Sequence, residues 1–190
     1  MKVSPGKKIY FASDNHLGAP TQEESRPREV RFVKWLDEIK QDAEAIFLLG
    51  DLFDFWFEYK HVVPKGFVRT LGKLAEIRDS GIPIYFFVGN HDLWMQDYFQ
   101  KELNIPVYHK PKEFEFSGKK FLVGHGDGLG PGDHGYKRMK KVFTNPLSKW
   151  FYRWLLSDLG IPLAQYFSVN NKAFSGEEDM KFLGEEKEWL

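Results

Sequence analysis

Four short polar clusters in this chain of 190 residues each stand at the end of an apolar run. The clusters are Asp14-Asn15-His16, Gly50-Asp51-Leu52-Phe53-Asp54, Gly89-Asn90-His91-Asp92 and Gly124-His125-Gly126-Asp127. Short apolar runs of this kind are typical of buried strands, and open α/β sheets place their ligands at the carboxyl ends of the strands. The pattern therefore predicts that the four clusters meet at one edge of a sheet.

The spacing of apolar residues predicts an α/β fold. Four central strands are expected at 9–12, 45–49, 84–88 and 121–123. Helical periodicity predicts a helix over 29–41, with Pro27 just ahead of it, and a second helix from about Phe67 to Gly81. Strands that alternate with helices indicate βαβ units and a parallel sheet. A shorter helix over 92–103 and a hairpin over 114–121 follow, so the sheet is expected to be mixed.

Composition limits the kind of site that these clusters can form. The chain has no cysteine, which excludes disulfides and thiolate metal sites and leaves oxygen and imidazole as ligands for Mn, Mg, Fe or Zn. Lys plus Arg total 27 and Asp plus Glu total 27, so no overall positive field argues for nucleic acid as a partner. No apolar stretch approaches the roughly 20 residues of a membrane span, and we expect a cytoplasmic protein.

The residue types in the clusters suit a pair of metal ions. Asp14 and His16 are two residues apart at a strand end, so they point to the same side and can hold one ion together. Asp51 has two carboxylate oxygens and can bridge two ions, while Asn90 and His125 offer an amide oxygen and an imidazole to the second. Two ions about 3.5–4 Å apart activate water and clamp a phosphoryl group. We therefore expect hydrolysis of a phosphoester or phosphoanhydride.

Each cluster also has an ordinary structural interpretation. Asp14 can be a turn residue or a helix cap, Asp51 can follow a glycine simply to turn the chain, and Asn90 can belong to a common loop. Four clusters in order, each after an apolar run, favour the metal site. His61 and His109 lie in no such context and are expected to be surface or packing residues.

The order of the four motifs resembles that of the calcineurin-like metallophosphoesterases. The resemblance implies one domain over 1–190 with a four-layer αββα sandwich, mixed sheets and a dinuclear centre that commonly holds Mn. It implies that Asp14, His16 and Asp51 bind the first ion, and that Asp51, Asn90 and His125 bind the second.

In that family the histidine of the Gly-Asn-His-Asp motif acts on the substrate. The resemblance implies that His91, beside Asn90, helps to protonate the leaving group or steadies the phosphate. The alternative is that His91 orients Asp51 or a metal-bound water.

The family's closing Gly-His-x-His motif is absent, since no histidine follows His134. We expect that this motif and the C-terminal part of the fold lie beyond residue 190; the alternative is a degenerate scaffold that acts as a binding module.

A narrower resemblance, to the UDP-2,3-diacylglucosamine hydrolases of lipid A biosynthesis, rests on the fourth cluster and the residues after it. Asp133 and Tyr136 follow that cluster, and the pair Asn171-Lys172 comes after a helical segment. The resemblance implies cleavage of the pyrophosphate to UMP and lipid X, with Asp133 contacting the glucosamine. Asn171, Lys172 and Ser168 are then implied to bind substrate. The alternative within this class is a phosphoesterase for another phosphodiester or a nucleotide.

Residues 134–170 are predicted to form a helical cap inserted into the domain. Between His134 and Trp154 there is no acidic residue, and basic and aromatic residues are interleaved. The basic ones are Lys137, Arg138, Lys140, Lys141, Lys149 and Arg153, and the aromatic ones are Tyr136, Phe143, Trp150, Phe151, Tyr152 and Trp154. This composition favours the cytoplasmic leaflet of the inner membrane as a partner. A hairpin with solvated lysines is the plainer alternative, and a surface for single-stranded nucleic acid ranks last.

A second aromatic cluster follows the second motif directly. It consists of Phe53, Phe55, Trp56, Phe57 and Tyr59. The cluster either packs beneath the cap or forms a wall for acyl chains, and the sequence favours neither.

Overall fold

The computed structural model describes residues 1–127 and 134–154. The chain divides into two units, Met1–His125 and Gly126–Leu190, and each is described by itself. The elements of the first unit are β1 (Lys8–Ala12), α1 (Gln22–Ile39), β2 (Ala43–Leu49), α2 (Val68–Asp79), β3 (Ile84–Phe87), α3 (Tyr98–Leu103), β4 (Val107–Tyr108), β5 (Lys112–Phe116) and β6 (Lys119–Val123).

A four-stranded parallel sheet forms the centre of this unit. Its strand order is β1-β2-β3-β4, and each neighbouring pair is parallel. The helices α1, α2 and α3 connect successive strands and pack on one face of the sheet, where Ile46 and Phe86 meet Leu36, Leu74 and other apolar residues of the helices. The predicted α/β fold with βαβ units is confirmed.

The hairpin β5-β6 forms a separate antiparallel sheet. It lies over the other face of the parallel sheet, where Phe47 and Phe87 share an aromatic core with Phe116. The two-residue turn has Ser117 at φ 47° and Gly118 at φ 83°, as a tight hairpin requires. A helix layer, a parallel sheet and a second sheet agree with the predicted sandwich.

One predicted strand was assigned to the wrong sheet. Residues 121–123 form part of β6, which pairs with β5 and not with the parallel sheet. Phe121 is 44% exposed and Leu122 is 70% exposed, so the apolar run is not a central strand. Only Val123 of the three is buried. Phe121 lies on the same face of the strand and packs against Phe116, but it stays partly exposed.

Two helix starts also differ from the predictions. α1 begins at Gln22, so Pro27 lies inside the helix and not ahead of it. The helix starts earlier because the side chain of Thr21 accepts a hydrogen bond of 3.2 Å from the N–H of Glu24. α3 begins at Tyr98 and not at residue 92. The residues before it form bends and turns, in which the Asp92 carboxylate accepts backbone hydrogen bonds.

The described part of the second unit contains two helices, α4 (His134–Thr144) and α5 (Pro146–Trp154). The break predicted at Pro146 is confirmed. Asn145 caps α5, since its side-chain oxygen accepts a hydrogen bond of 2.8 Å from the N–H of Leu147. The predicted substrate residues Asp133, Ser168, Asn171 and Lys172, and the rest of the predicted cap, lie outside the described residues. Among the helices of the described ranges, none has the length and apolar character needed to cross a membrane.

Candidate metal centre

The loops after β1 and β2 are joined by backbone hydrogen bonds. The N–H of Asp14 donates to the carbonyl of Gly50 at 3.2 Å, and the N–H of His16 donates to the carbonyl of Asp51 at 2.9 Å. Asp14, His16 and Asp51 all have φ between 43° and 55°, a left-handed conformation that costs about 1–2 kcal/mol for a residue with a side chain. The backbone is therefore strained where it presents these three side chains to one place.

Asp51 lies at the centre of the site and is 2% exposed. Its Oδ1 accepts a hydrogen bond of 2.9 Å from the backbone N–H of His91. Its Oδ2 lies 3.9 Å from Nε2 of His16 and 3.6 Å from Nε2 of His125. One oxygen thus holds the carboxylate in place, and the other faces two imidazoles from different parts of the fold.

His125 has a defined tautomer in its neutral form. Its Nδ1 lies 2.6 Å from the carbonyl oxygen of Leu49, which can only accept, so Nδ1 carries the proton. Its Nε2 then presents a lone pair toward Asp51 and lies 3.3 Å from Oδ1 of Asn90. His125 follows β6, so the four clusters do not share the edge of one sheet as predicted; they converge from two sheets.

The predicted ligands fit divalent metal ions. Asp14, His16 and Asp51 offer atoms within 4.8 Å of one another, and Asp51, Asn90 and His125 form a second group through the distances above. Carboxylate, amide oxygen and imidazole are ligands for ions such as Mn, Mg, Fe or Zn. All five side chains named from the sequence meet here, and Asp51 belongs to both groups.

His91 stands at the side of this group. Its Nδ1 lies 2.9 Å from the carbonyl oxygen of Asp54, and its ring meets that of His16 edge to face at 4.7 Å. Burial lowers the pKa of His91, although the Asp51 carboxylate opposes this effect. The backbone N–H of His91 orients Asp51.

At two positions in these motifs the surrounding atoms leave no room for any residue except glycine. A Cβ on Gly89 would lie 2.2 Å from Oδ1 of Asp51. A Cβ on Gly50 would lie 2.7 Å from Cα of Gly89 and 2.8 Å from Nδ1 of His125. The loops carrying the predicted ligands are in contact here, and any side chain would separate them.

Sequence reasoning gave no role to two residues that support the site. Asp92 is fully buried, and its carboxylate accepts hydrogen bonds from the N–H of Gly89 at 2.6 Å and of Leu52 at 3.1 Å. Burial and the charge of Asp51 raise the pKa of Asp92 to about 7, although those two N–H groups oppose the shift. Arg28 of α1 donates from Nη1 to the carbonyl of His16 at 2.7 Å. Asp92 reaches Leu52, 40 residues away in sequence, and Arg28 reaches His16, 12 residues away, so no local sequence pattern identifies these two contacts.

Most rings of the aromatic cluster after Asp51 pack in the protein interior. Phe53, Trp56 and Phe57 are at most 1% exposed, and the rings of Phe53 and Trp56 stack at 4.6 Å. Phe55 and Tyr59 are partly exposed. The three buried rings form part of the protein interior and not a wall open to acyl chains. His61 and His109 are exposed, as expected.

Comparison with known proteins identifies the family. The sequence profile of the calcineurin-like phosphoesterases matches residues 7–181. The chain belongs to this family. Calcineurin-like phosphoesterases use divalent metals, and the predicted ligand groups agree with that property.

Several relatives carry a more specific name. A protein of Porphyromonas gingivalis named UDP-2,3-diacylglucosamine hydrolase is 42% identical over 90% of this chain and 65% of its own length. One of Pseudomonas fluorescens with the same name is 34% identical over 77% of this chain and 57% of its own length. The chain thus spans less than two thirds of these relatives. A solved structure, of a protein of unknown function from Aquifex aeolicus, is 20% identical, with 71% of each chain covered and a TM-score of 0.44.

Proposed function

We propose that the protein is a metal-dependent hydrolase that cleaves the pyrophosphate of UDP-2,3-diacylglucosamine to UMP and lipid X. Metal-dependent hydrolysis is proposed on one observation. Oδ2 of Asp51 lies 3.9 Å from Nε2 of His16 and 3.6 Å from Nε2 of His125. The names of the relatives support this substrate. Cleavage of another phosphodiester or of a nucleotide is the second candidate within the same chemistry.

The proposed ligand sets follow from the distances around Asp51. Asp14, His16 and Asp51 hold one ion. Asp51, Asn90 and His125 hold the other. Two divalent ions, with Mn as the first candidate, supply Lewis acidity that activates water and offsets charge on the phosphoryl oxygens.

The neighbouring residues of this chain place the reacting groups. Asn90 and His91 are the proposed catalytic residues, since both lie in the loop after β3. The backbone N–H of His91 donates to Asp51, and Oδ1 of Asn90 lies 3.3 Å from Nε2 of His125. The proton on Nδ1 of His91 is directed to the carbonyl of Asp54, which leaves Nε2 as the reactive nitrogen of the neutral ring. Asp133, Ser168, Asn171 and Lys172 are proposed substrate contacts on the resemblance alone.

The test is release of UMP from UDP-2,3-diacylglucosamine by the purified protein, with and without Mn²⁺. We expect turnover that requires the metal and falls to background in Asp51→Asn. The control is Asp42→Asn, because Asp42 lies at the opposite end of β2, where its carboxylate binds Lys8 and Tyr10. Turnover unchanged in Asp51→Asn overturns the proposed centre. Activity confined to a simple phosphodiester such as bis-p-nitrophenyl phosphate overturns the proposed substrate.

We further propose that α4 and α5 dock on the anionic cytoplasmic leaflet of the inner membrane. These two helices expose large apolar side chains, at 52% or more for Val142, Leu147, Trp150, Phe151 and Trp154. Arg138 and Lys141 are exposed on α4. Aromatic side chains settle at the headgroup level, and each basic residue contributes about 1 kcal/mol near an anionic surface. This arrangement supports a peripheral, cytoplasmic location.

Vesicle sedimentation tests the membrane contact. The double variant Arg138→Glu, Lys141→Glu is expected to bind vesicles of phosphatidylglycerol and phosphatidylethanolamine more weakly than the natural protein. The matched control is Arg31→Glu, Lys34→Glu, which reverses an exposed Arg and an exposed Lys at the same spacing on α1. Equal loss of binding in both variants would show that the net charge of the protein, and not this surface, determines vesicle binding. No loss in either variant would exclude the proposed surface.

A further inference from the structure

The two ring nitrogens of His16 face different carboxylates. Nε2 lies 3.9 Å from Oδ1 of Asp14 and 3.9 Å from Oδ2 of Asp51, on the side of the proposed metal ligands. Nδ1 lies 3.6 Å from Oδ1 of Asp54. This Nδ1 is buried and has no hydrogen-bond partner among the residues that the structure describes. A buried polar nitrogen of this kind is unfavourable unless it finds a partner.

Asp54 is held beside His16 by its backbone. The N–H of Asp54 donates to the carbonyl of Leu17 at 2.9 Å, and the N–H of Leu17 donates to the carbonyl of Leu52 at 2.9 Å. The residue after His16 is thus bonded into the segment that carries Asp54, and the Asp54 side chain is only 7% exposed. The backbone bonds therefore keep the two residues close together.

The same carboxylate oxygen lies 3.6 Å from Nδ1 of His91. His16, Asp54 and His91 therefore form a group with the spacing of a metal site. Nδ1 of His91 faces the carbonyl oxygen of Asp54 at 2.9 Å, so this nitrogen carries a hydrogen and is not a ligand in this arrangement. We therefore interpret the group as side chains that surround and orient His16, and not as a further ion site.

We propose that Asp54 is a positioning residue for His16, an inference that rests on the proposed metal centre. The Asp54 carboxylate stands 3.6 Å from Nδ1 of His16. When a small shift on metal binding closes this gap, the carboxylate accepts the hydrogen on Nδ1 and so selects the tautomer in which Nε2 offers its lone pair to the ion. A neutral imidazole has one N–H and one lone pair, so an acceptor at Nδ1 decides which nitrogen can bind metal. A carboxylate at this place also fixes the ring and raises its basicity.

Mn²⁺ affinity tests the proposal without any activity measurement. We would measure it by isothermal titration and by electron paramagnetic resonance for the natural protein and for Asp54→Ala, Asp54→Asn and the control Asp42→Asn. Asp54→Ala is expected to weaken Mn²⁺ binding about 10- to 100-fold. Asp54→Asn is expected to lose less, because the amide oxygen still accepts a hydrogen bond. Asp42→Asn, at the far end of β2, should bind as the natural protein does.

A tautomer measurement on the natural protein removes dependence on how well the variants fold. With Zn²⁺ bound, nitrogen-15 spectra of the histidine rings are expected to show the hydrogen of His16 on Nδ1 and the metal on Nε2. The reverse assignment overturns the proposal, as does natural Mn²⁺ affinity in Asp54→Ala. Failure of the natural protein itself to bind Mn²⁺ overturns the proposed centre, whereas normal binding with unchanged Asp54 variants overturns this inference alone.

Discussion

The backbone N–H of His91 donates a hydrogen bond of 2.9 Å to Oδ1 of Asp51. This bond joins the loop after β3 to the side chain at the end of β2, and it turns Oδ2 of Asp51 toward the imidazoles of His16 and His125. The geometry of the proposed centre therefore depends on how closely two neighbouring loops approach each other.

Replacing Gly89 by alanine tests this dependence. The new Cβ would lie 2.2 Å from Oδ1 and 2.6 Å from the backbone nitrogen of Asp51, so the carboxylate or the loop must move. We expect a loss of about 1–3 kcal/mol in the free energy of unfolding, measured in urea, and weaker Mn²⁺ binding by titration. The control is Gly72→Ala in α2, where the Cβ meets nothing within 4 Å and alanine is expected to stabilise the helix by about 1 kcal/mol. Unchanged Mn²⁺ affinity in Gly89→Ala would contradict the proposed role of the close approach.

Arg28 is expected to support the loop that carries His16. Its Nη1 donates to the carbonyl of His16 at 2.7 Å and to that of Asn15 at 3.3 Å, and His16 has φ 43°. Arg28→Ala removes these bonds and is expected to lower the free energy of unfolding by about 1–2 kcal/mol and to weaken Mn²⁺ binding. Arg28→Lys should recover part of both. Arg31→Ala, an exposed arginine of the same helix, is the control; an equal effect there would mean that charge, not the carbonyl contacts, matters.

Glu58 is expected to stabilise the start of α3. This carboxylate is 4% exposed and accepts hydrogen bonds from Nε1 of Trp56 at 3.0 Å and from the N–H groups of Asp97 and Tyr98 at 2.8 and 3.2 Å. Glu58→Ala leaves three buried or partly buried donors without this acceptor. We expect a loss of about 2–4 kcal/mol in the urea-derived free energy of unfolding. Glu102→Ala, on the exposed side of α3, should change it little; a comparable loss there would refute the specific role of Glu58.

The ion pairs between α1 and α2 predict a dependence of stability on pH. Lys40 bonds to Asp37 and Glu76 at 2.7 Å each, and Lys73 bonds to the same two carboxylates. Hydrogen bonds from Lys40 and then Lys73 hold the pKa of Asp37 and of Glu76 below their ordinary values. Because these pKa values are lowered by folding, the stabilisation is present above about pH 4 and is lost as the pH falls through the lowered values.

The variant Asp37→Asn, Glu76→Gln tests this expectation. Its melting temperature should lie below that of the natural protein at pH 7, and the difference should shrink as the pH is lowered toward 2.5. Salt should reduce the difference as well, because the pairs are exposed to solvent. Glu113→Gln, an exposed carboxylate of β5, is the control. A difference independent of pH would show that the pairs do not act through these carboxylates.

The residues of the proposed centre could be proposed from the sequence because each lies in the loop after a strand. Asp51 and Asn90 leave neighbouring parallel strands at the same end, and their clusters contain a glycine where two loops touch. Asp14 and His16 follow β1 in the same way. Local patterns carry this information, because strand ends, turns and small residues are specified by a few adjacent positions.

The assignment of residues 121–123 could not be made from that information. An apolar run indicates a strand, but it does not show which strands pair with it, and β6 joins a second sheet whose aromatic core faces Phe47. The supporting roles of Asp54, Arg28 and Glu58 were missed for a related reason. Each side chain acts on a backbone group or ring that the chain brings to it only by folding.

The sequence by itself determined the α/β order of elements and the family of this protein, and it supplied the prediction of five metal ligands. Only the tertiary structure decided that His125 reaches the site from a different sheet, that one oxygen of Asp51 is held by His91 while the other faces two histidines, and that Asp54 lies against the second nitrogen of His16. Local preference along the chain fixes the kind of element and the chemistry at its end. The distances between those ends depend on packing between residues far apart in sequence, which no local pattern contains.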